Sequence, residues 1–411
     1  MDKALLKCGA CGAVYEFKPR FVPCERCGSP LHVSYVVPAC RHDFETAWSD
    51  ENSSGIWRYR SRLPVPDSAL SVSLGEGGTP IVRSTILAER LGLPNLVLKN
   101  EAANPTWSFK DRLNCVNATL ARHYRFRGIA ASSTGNHGVS AAAFAAAAGL
   151  ESLVLFPYGT PDLYIRQVHA YGGRAIVMNW AERGELLMRL VKEAEWYPSK
   201  STLPAPVANP FGVEGYKTIA FEVARQMRHN MPEFVFVPVG SGDDYFGICQ
   251  GFRELLEAEI IDVMPTIVAC EASGSAPLND AVKIDAKQIS QVTNPRTYAV
   301  SISEGIVSNL AIQALRFSNG QSCTVSEGEI SAAAECLAGT GLLLEASSCV
   351  PLAAAKKFVH DTKASPDTRM LAILTATGLR WPTQIPNSGE PPIVIQRSHD
   401  KSALISRFGP K

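Results

Sequence analysis

The sequence predicts an α/β fold in two units, each a parallel sheet covered by helices, and three observations carry that expectation. From Pro80 onward, short β-branched or leucine-rich runs at 95–98, 129–132, 152–156, 174–178, 234–239, 266–270 and 370–374 are separated by helix-like segments. Such alternation is the signature of parallel strands joined by crossover helices. The runs also fall into two groups, one around 95–180 and one around 234–374. Finally, 411 residues at 46% hydrophobic are enough for a large core and more than one domain.

The N-terminus carries two CxxC knuckles, Cys8-Gly-Ala-Cys11 and Cys24-Glu-Arg-Cys27, with short β-like runs between them. Four thiolates at that spacing can close a tetrahedron around Zn²⁺, and the glycine beside each knuckle suits the tight turn that aims them inward. A closed four-sulfur site leaves no position for substrate, so the metal it predicts is structural. The plainer reading is four unrelated thiols. A nucleic-acid-binding ribbon finds little basic excess in the segment to support it. Residues 36–75 read as a connector, with Trp48, Trp57 and Tyr59 pinning it to the body, and the Pro- and Ser-bearing stretch 385–411 reads as a surface tail.

With 40 basic and 39 acidic residues, net charge is +1, which argues against a nucleic-acid or anionic-membrane surface. No apolar stretch reaches transmembrane length; the run 139–150 is alanine-rich and short. The first residues show no signal-peptide layout, and eleven cysteines, an odd number, fit a reducing cytoplasm better than a disulfide framework.

Four further motifs carry chemistry. In Asn104-Pro105-Thr106-Trp107-Ser108-Phe109-Lys110-Asp111-Arg112, bulky apolar neighbours would desolvate the Lys110 amine and lower its pKa toward the nucleophilic range. Such an amine can form a Schiff base with an aldehyde cofactor such as pyridoxal phosphate (PLP). Otherwise the segment is a loop entering a helix, with Lys110 exposed on the first turn. Ser132-Ser133-Thr134-Gly135-Asn136-His137-Gly138 follows a strand and opens an alanine-rich helix, a turn that aims N–H groups and the positive helix end at an anion. A simple helix cap would need neither Asn136 nor His137, and His137 is given no proton-transfer role. In Pro238-Val239-Gly240-Ser241-Gly242-Asp243-Asp244, glycines let the backbone wrap a phosphate, although two aspartates count against one unless they face away or cap the helix. Leu374-Thr375-Ala376-Thr377-Gly378-Leu379-Arg380 places a hydroxyl at a strand's carboxyl end, where open α/β sheets bind ligands; a plain turn is the other reading.

Together and in this order, these segments resemble threonine synthase and its relatives among the fold-type-II (tryptophan synthase β-like) PLP enzymes. Leu74-Gly75-Glu76-Gly77-Gly78-Thr79-Pro80, Asn209-Pro210-Phe211 with Glu214-Gly215-Tyr216-Lys217-Thr218, and Glu345-Ala346-Ser347-Ser348 extend the likeness from the zinc ribbon to about residue 382. The resemblance implies a ribbon at 1–35, a large α/β domain at 76–100 and 210–384, and a small one at 101–209. Lys110 would hold PLP and then move protons on the substrate. Asn136 would bond the cofactor's phenolic oxygen, Thr375 would face its ring nitrogen, and Gly240, Ser241, Gly242, Asp243 and Asp244 would wrap its phosphate. Ser133, Thr134 and His137 would receive the substrate's α-carboxylate.

Several residues depart from the family pattern. Trp107 stands where glycine is usual, Leu113 replaces a small residue, and Asp243 and Asp244 replace small or amide residues. Tyr164 takes the place of a lysine, with Arg166 two residues on as a candidate grip for an anionic substrate tail. The expected reaction is elimination or replacement on an α-amino acid, in the threonine synthase case conversion of O-phosphohomoserine to threonine and phosphate. The alternatives are a cysteate synthase-like β-replacement on O-phosphoserine, a threonine or serine deaminating lyase, or a non-catalytic protein of this fold whose ribbon binds a partner. A homodimer is the family's habit.

Overall fold

The structure is a computed structural model that describes residues 3–199, 209–365 and 367–386. Of the tail expected at 385–411, only Ile385 and Pro386 fall within the described residues. Strands β1 (Ala4–Cys8), β2 (Val14–Tyr15) and β3 (Leu31–Tyr35) make a small antiparallel sheet, ordered β2-β1-β3. Strands β4 (Ile81–Val82) and β5 (Leu96–Asn100) then open a second sheet. The chain leaves it to build a third from β6 (Gly128–Ser132), β7 (Glu151–Pro157), β8 (Arg174–Met178) and β9 (Trp196–Pro198). It returns to the second with β10 (Phe234–Pro238), β11 (Thr266–Ala272), β12 (Gln321–Val325) and β13 (Met370–Leu374).

The six-stranded sheet runs β12-β11-β10-β13-β5-β4, parallel except for β4, and the four-stranded sheet runs β8-β7-β6-β9, parallel throughout. Residues 96–100 therefore pair with β13, not with the 129–178 strands beside which they stand in sequence. All five residues of β13 are buried, as in a parallel sheet covered on both faces. Strands β9 and β12 were not foreseen. The first is three residues long, and Gln321-Ser-Cys-Thr-Val325 is a polar edge strand without an apolar run.

Two helices meet where the sheets join. Helix Lys110–His123 packs on helix Asn136–Ala148, whose alanines permit close approach and whose end is turned by Gly149 in the left-handed region, φ 69°. Beneath Lys110 lies a buried charge network. Arg112 Nε donates to Glu101 Oε2 (2.6 Å) and Arg112 Nη1 to Glu222 Oε1 (2.7 Å), while Lys99 Nζ holds Glu222 Oε2 (2.7 Å). It ties β5 to the helices that begin at Lys110 and at Lys217.

The N-terminal sheet sits on this body: Phe17 meets Phe211 edge-on at 5.3 Å and His32 meets Phe246 at 5.9 Å. Burial and two nearby cations hold the His32 imidazole down at a pKa of about 4. In the connector, Tyr59 packs on Phe221 (5.2 Å) and the Trp57 indole N–H donates to the Val72 carbonyl (3.2 Å). No helix among the described residues is long and apolar enough to cross a membrane.

Candidate active site

A cleft partly open to solvent, about 740 Å³ with its open mouth counted, lies between the two larger sheets. It forms at the carboxyl ends of β6, β10 and β13, where Ser132, Pro238 and Thr375 line it. Lys110, Ser133, Thr134, Asn136, His137, Gly240, Ser241, Asp243 and Asp244 also line it, so four segments far apart in sequence share one space.

Lys110 opens its helix and is held from behind. The Phe109 N–H donates to the Thr375 carbonyl (2.9 Å), which pins the lysine loop to the end of β13. Its ammonium lies 4.3 Å from the centroid of Phe109 and 5.5 Å from that of Tyr216, two stacked rings, and Nζ donates to the Tyr216 hydroxyl at 3.2 Å. Lys110 is therefore half-buried against aromatic faces, not solvated on a first turn. Sequence reasoning assigned Tyr216 no role, although it lay inside a quoted motif.

At the opposite wall Asn136 opens the alanine-rich helix. Its Nδ2 donates to Glu345 Oε2 (2.8 Å) and its Oδ1 accepts from Arg380 Nη1 (2.7 Å). Burial pushes the Glu345 carboxyl up, against the pull of Asn136, Arg380 and Lys110. Ser133 is already engaged, because its hydroxyl oxygen accepts the N–H groups of Gly135 (3.0 Å) and Gly138 (2.9 Å) as a helix cap. Thr134 beside it lines the cavity as well. Gly135 is required here, since a Cβ would stand 2.7 Å from the Tyr164 ring.

The Gly240–Asp244 loop turns at Gly242, φ 86°, into helix Asp243–Glu257. Asp243 accepts the Ser241 hydroxyl (2.7 Å). Burial pushes the Asp244 carboxyl up to about 6, against the charge of Lys110 and N–H groups of its own first turn. Thr375 Oγ1 lies 2.9 Å from Ser348 Oγ, whose oxygen also accepts the Ala376 N–H (2.8 Å), so the hydroxyl at this strand end is fixed.

Arg166 does not belong to this group. It lies on the outer face of its helix, 78% exposed at the side chain and ion-paired with Asp162 one turn earlier, because the helical period that buries Tyr164 turns residue 166 outward. The Cys8, Cys11, Cys24 and Cys27 thiols lie within 4.8 Å of one another, close enough to share one ion. Glu304, Glu345 and the Ser301–Ile302 turn also line the cavity. Glu304 sits in a loop and Ser301–Ile302 in a single 3₁₀ turn, Val300–Ile302, both too short for periodicity to carry a signal.

These residues suit PLP at three ends: an amine on an aromatic shelf, an amide facing it, and a hydroxyl at a strand terminus. The fourth end is a helix N-terminus with a glycine turn, suited to a phosphate by its backbone and opposed by its two carboxylates. A family model described as pyridoxal-phosphate dependent enzyme matches residues 72–376. The chain belongs to the pyridoxal-phosphate dependent enzyme family. It is 35% identical over 398 residues to a threonine synthase of Methanocaldococcus jannaschii, covering 95% of this chain and 96% of that one. A Methanosarcina acetivorans threonine synthase is 32% identical over 401 residues, covering 96% of each. Among solved structures, maize serine racemase matches with a TM-score of 0.65 at 18% identity, covering 90% of this chain and 98% of that one. Processed threonine deaminase isoform 2 of Solanum lycopersicum matches with a TM-score of 0.65 at 20% identity, covering 85% and 93%. At such identities the structures show the shared fold-type-II architecture of these PLP enzymes and nothing about substrate.

Proposed function

We propose that this PLP-dependent enzyme carries out a threonine synthase-type replacement, in which O-phosphohomoserine loses phosphate and gains water to give threonine. The observation that carries the proposal is end-to-end similarity to threonine synthases combined with Lys110, Asn136 and Thr375 around one cavity. When bound, PLP supplies an aldehyde for the substrate amine and a conjugated ring that accepts electrons from the substrate's carbons.

The protein's own groups divide the remaining work. Lys110 would hold the cofactor through its amine and, when free, would carry protons to and from the substrate's carbons, with the Tyr216 hydroxyl 3.2 Å from Nζ to share them. Asn136 would donate through its amide to the cofactor's phenolic oxygen. Thr375 would offer the ring nitrogen a neutral hydroxyl, which, unlike a carboxylate, would not enforce protonation there and so would suit elimination and replacement. Backbone N–H groups at 240–244 would receive the cofactor phosphate, and Thr134 with the turn at 134–137 would receive the α-carboxylate.

A second reading draws support from Asp243, Asp244, Glu304 and Glu345, which surround the cavity with carboxyl groups. Such walls favour a substrate whose leaving group is uncharged, as in deamination of threonine or serine. An O-phosphoserine β-replacement meets the same charge conflict as phosphohomoserine. The four N-terminal thiols hold a structural Zn²⁺ in this proposal, and the enzyme is a cytoplasmic homodimer.

Purified protein loaded with PLP should release phosphate and form threonine in equal amounts from O-phosphohomoserine. Ammonia and a 2-keto acid from threonine or serine, without turnover of phosphohomoserine, would overturn the first reading in favour of the second.

A further inference from the structure

Arg380 occupies an unusual position. Its side chain is fully buried, yet among the described residues no carboxylate pairs with it directly. Nη1 donates to Asn136 Oδ1 (2.7 Å) and Nη2 to the Thr106 carbonyl (2.6 Å). Asn136 belongs to the four-stranded half of the molecule, Thr106 to the lysine loop, and Arg380 follows the last strand of the six-stranded sheet, so one guanidinium spans all three. Aromatic rings enclose it: Trp107 at 5.4 Å and Tyr164 at 5.7 Å from the guanidinium carbon, with Trp381 leaning on Tyr164 at 5.9 Å.

This enclosure accounts for Trp107. Its backbone holds φ 58°, a left-handed conformation that costs a non-glycine residue free energy. The conformation is fixed from both sides, by the Trp107 N–H to the Asn104 carbonyl (2.7 Å) and by the Thr377 N–H to the Trp107 carbonyl (3.1 Å). The indole then covers the guanidinium while itself remaining 48% exposed. Tyr164 completes the box from the other side against Gly135.

We propose that Arg380, boxed by Trp107 and Tyr164, is a positioning residue that sets the amide orientation of Asn136 toward the cofactor. A guanidinium only donates, so it can face the amide oxygen and not the NH₂ group. Glu345 takes one N–H of that NH₂ group (2.8 Å). A flipped amide would set its NH₂ against a cation and its oxygen against a carboxyl group, two unfavourable contacts in place of two hydrogen bonds. Only the observed orientation keeps a donor on the cavity side. This inference rests on the PLP reading for its spectral consequence, but the Arg380–Asn136 coupling exists without cofactor.

The test uses Arg380→Met, Arg380→Lys, Asn136→Ala and the double variants with Asn136→Ala. In cofactor-free protein, thermal melts should show Arg380→Met and Asn136→Ala to be non-additive; additive losses would overturn the proposal. With PLP, Arg380→Met should lose part of the visible band to the near-ultraviolet and bind about tenfold more weakly, the loss of one charge-assisted hydrogen bond. It should add no further spectral change in the Asn136→Ala background. An Arg380→Met protein that is folded, loaded and spectrally unchanged would contradict the proposal, since a merely structural arginine would move stability alone. Should Arg380→Met not fold, Arg380→Lys decides: one ammonium cannot serve both acceptors, so a partial band shift supports the proposal and an unshifted band overturns it. Wild-type protein with no visible band in excess PLP would sink the cofactor reading, while the melts still judge Arg380.

Discussion

Lys110 and Asp244 make opposite demands on the cavity. The amine rests on two aromatic faces within reach of the Tyr216 hydroxyl, and removing it should cost little packing. Lys110→Ala is therefore expected to melt within a few degrees of wild type while losing the visible absorbance of bound PLP after dialysis. Asp244 is the residue most at odds with a phosphate. Its folded pKa, about 6, lies above the ordinary 3.8, so the folded state keeps its proton to higher pH than the unfolded state does. Its contribution to stability is therefore unpenalised below pH ~4, falls as pH rises toward ~6, and levels off at a cost of about 3 kcal/mol. Asp111, also pushed up to about 6, adds a term of the same sign. Asp244→Asn should gain stability over wild type progressively between pH 4 and 7 in thermal melts of the cofactor-free protein. Wild-type PLP affinity should fall across the same window, and Asp244→Asn should flatten that fall.

At the scale of elements, the N-terminal ribbon and the buried charge network make separable predictions. The thiol cluster closes on itself and the ribbon meets the body through rings such as Phe17 and His32, away from Lys110. Chelation or Cys8→Ser should thus speed amide exchange at residues 4–35 and lower the melting temperature, with little change in the cofactor spectrum. Glu222→Gln acts deeper, leaving Arg112 and Lys99 short of a shared counter-charge at complete burial. The expected cost is about 3–5 kcal/mol, read as a shift in the urea midpoint. Much of this organisation was legible because strands such as 370–374 and 234–238 are continuous apolar runs, each followed by a glycine-bearing turn. Strand β12 was not, because polar edge strands carry no such run, and Arg166 was misplaced because a motif register does not say which face of a helix points inward. The site's far wall was hidden for another reason. Arg380, Glu345 and Asn136 are separated by 244 and 209 positions, and nothing short of the fold shows that they touch.

For the molecule as a whole, the two parallel sheets matter because their strand ends face one cavity. Residues from 110, 136, 240–244 and 375 reach it only when both sheets are formed and joined by the contacts of Phe109, Asn136 and Arg380. Cofactor binding should accordingly stabilise the body as a unit, raising its melting temperature with PLP concentration. Lys110 is the one lysine lining this cavity among the described residues, so covalent attachment is expected there. The direct measurement is borohydride reduction of the PLP-loaded protein followed by peptide mass spectrometry. A pyridoxyl phosphate adduct on the Lys110 peptide is the predicted result; a stoichiometric adduct on another lysine, or none in protein saturated with PLP, would contradict it.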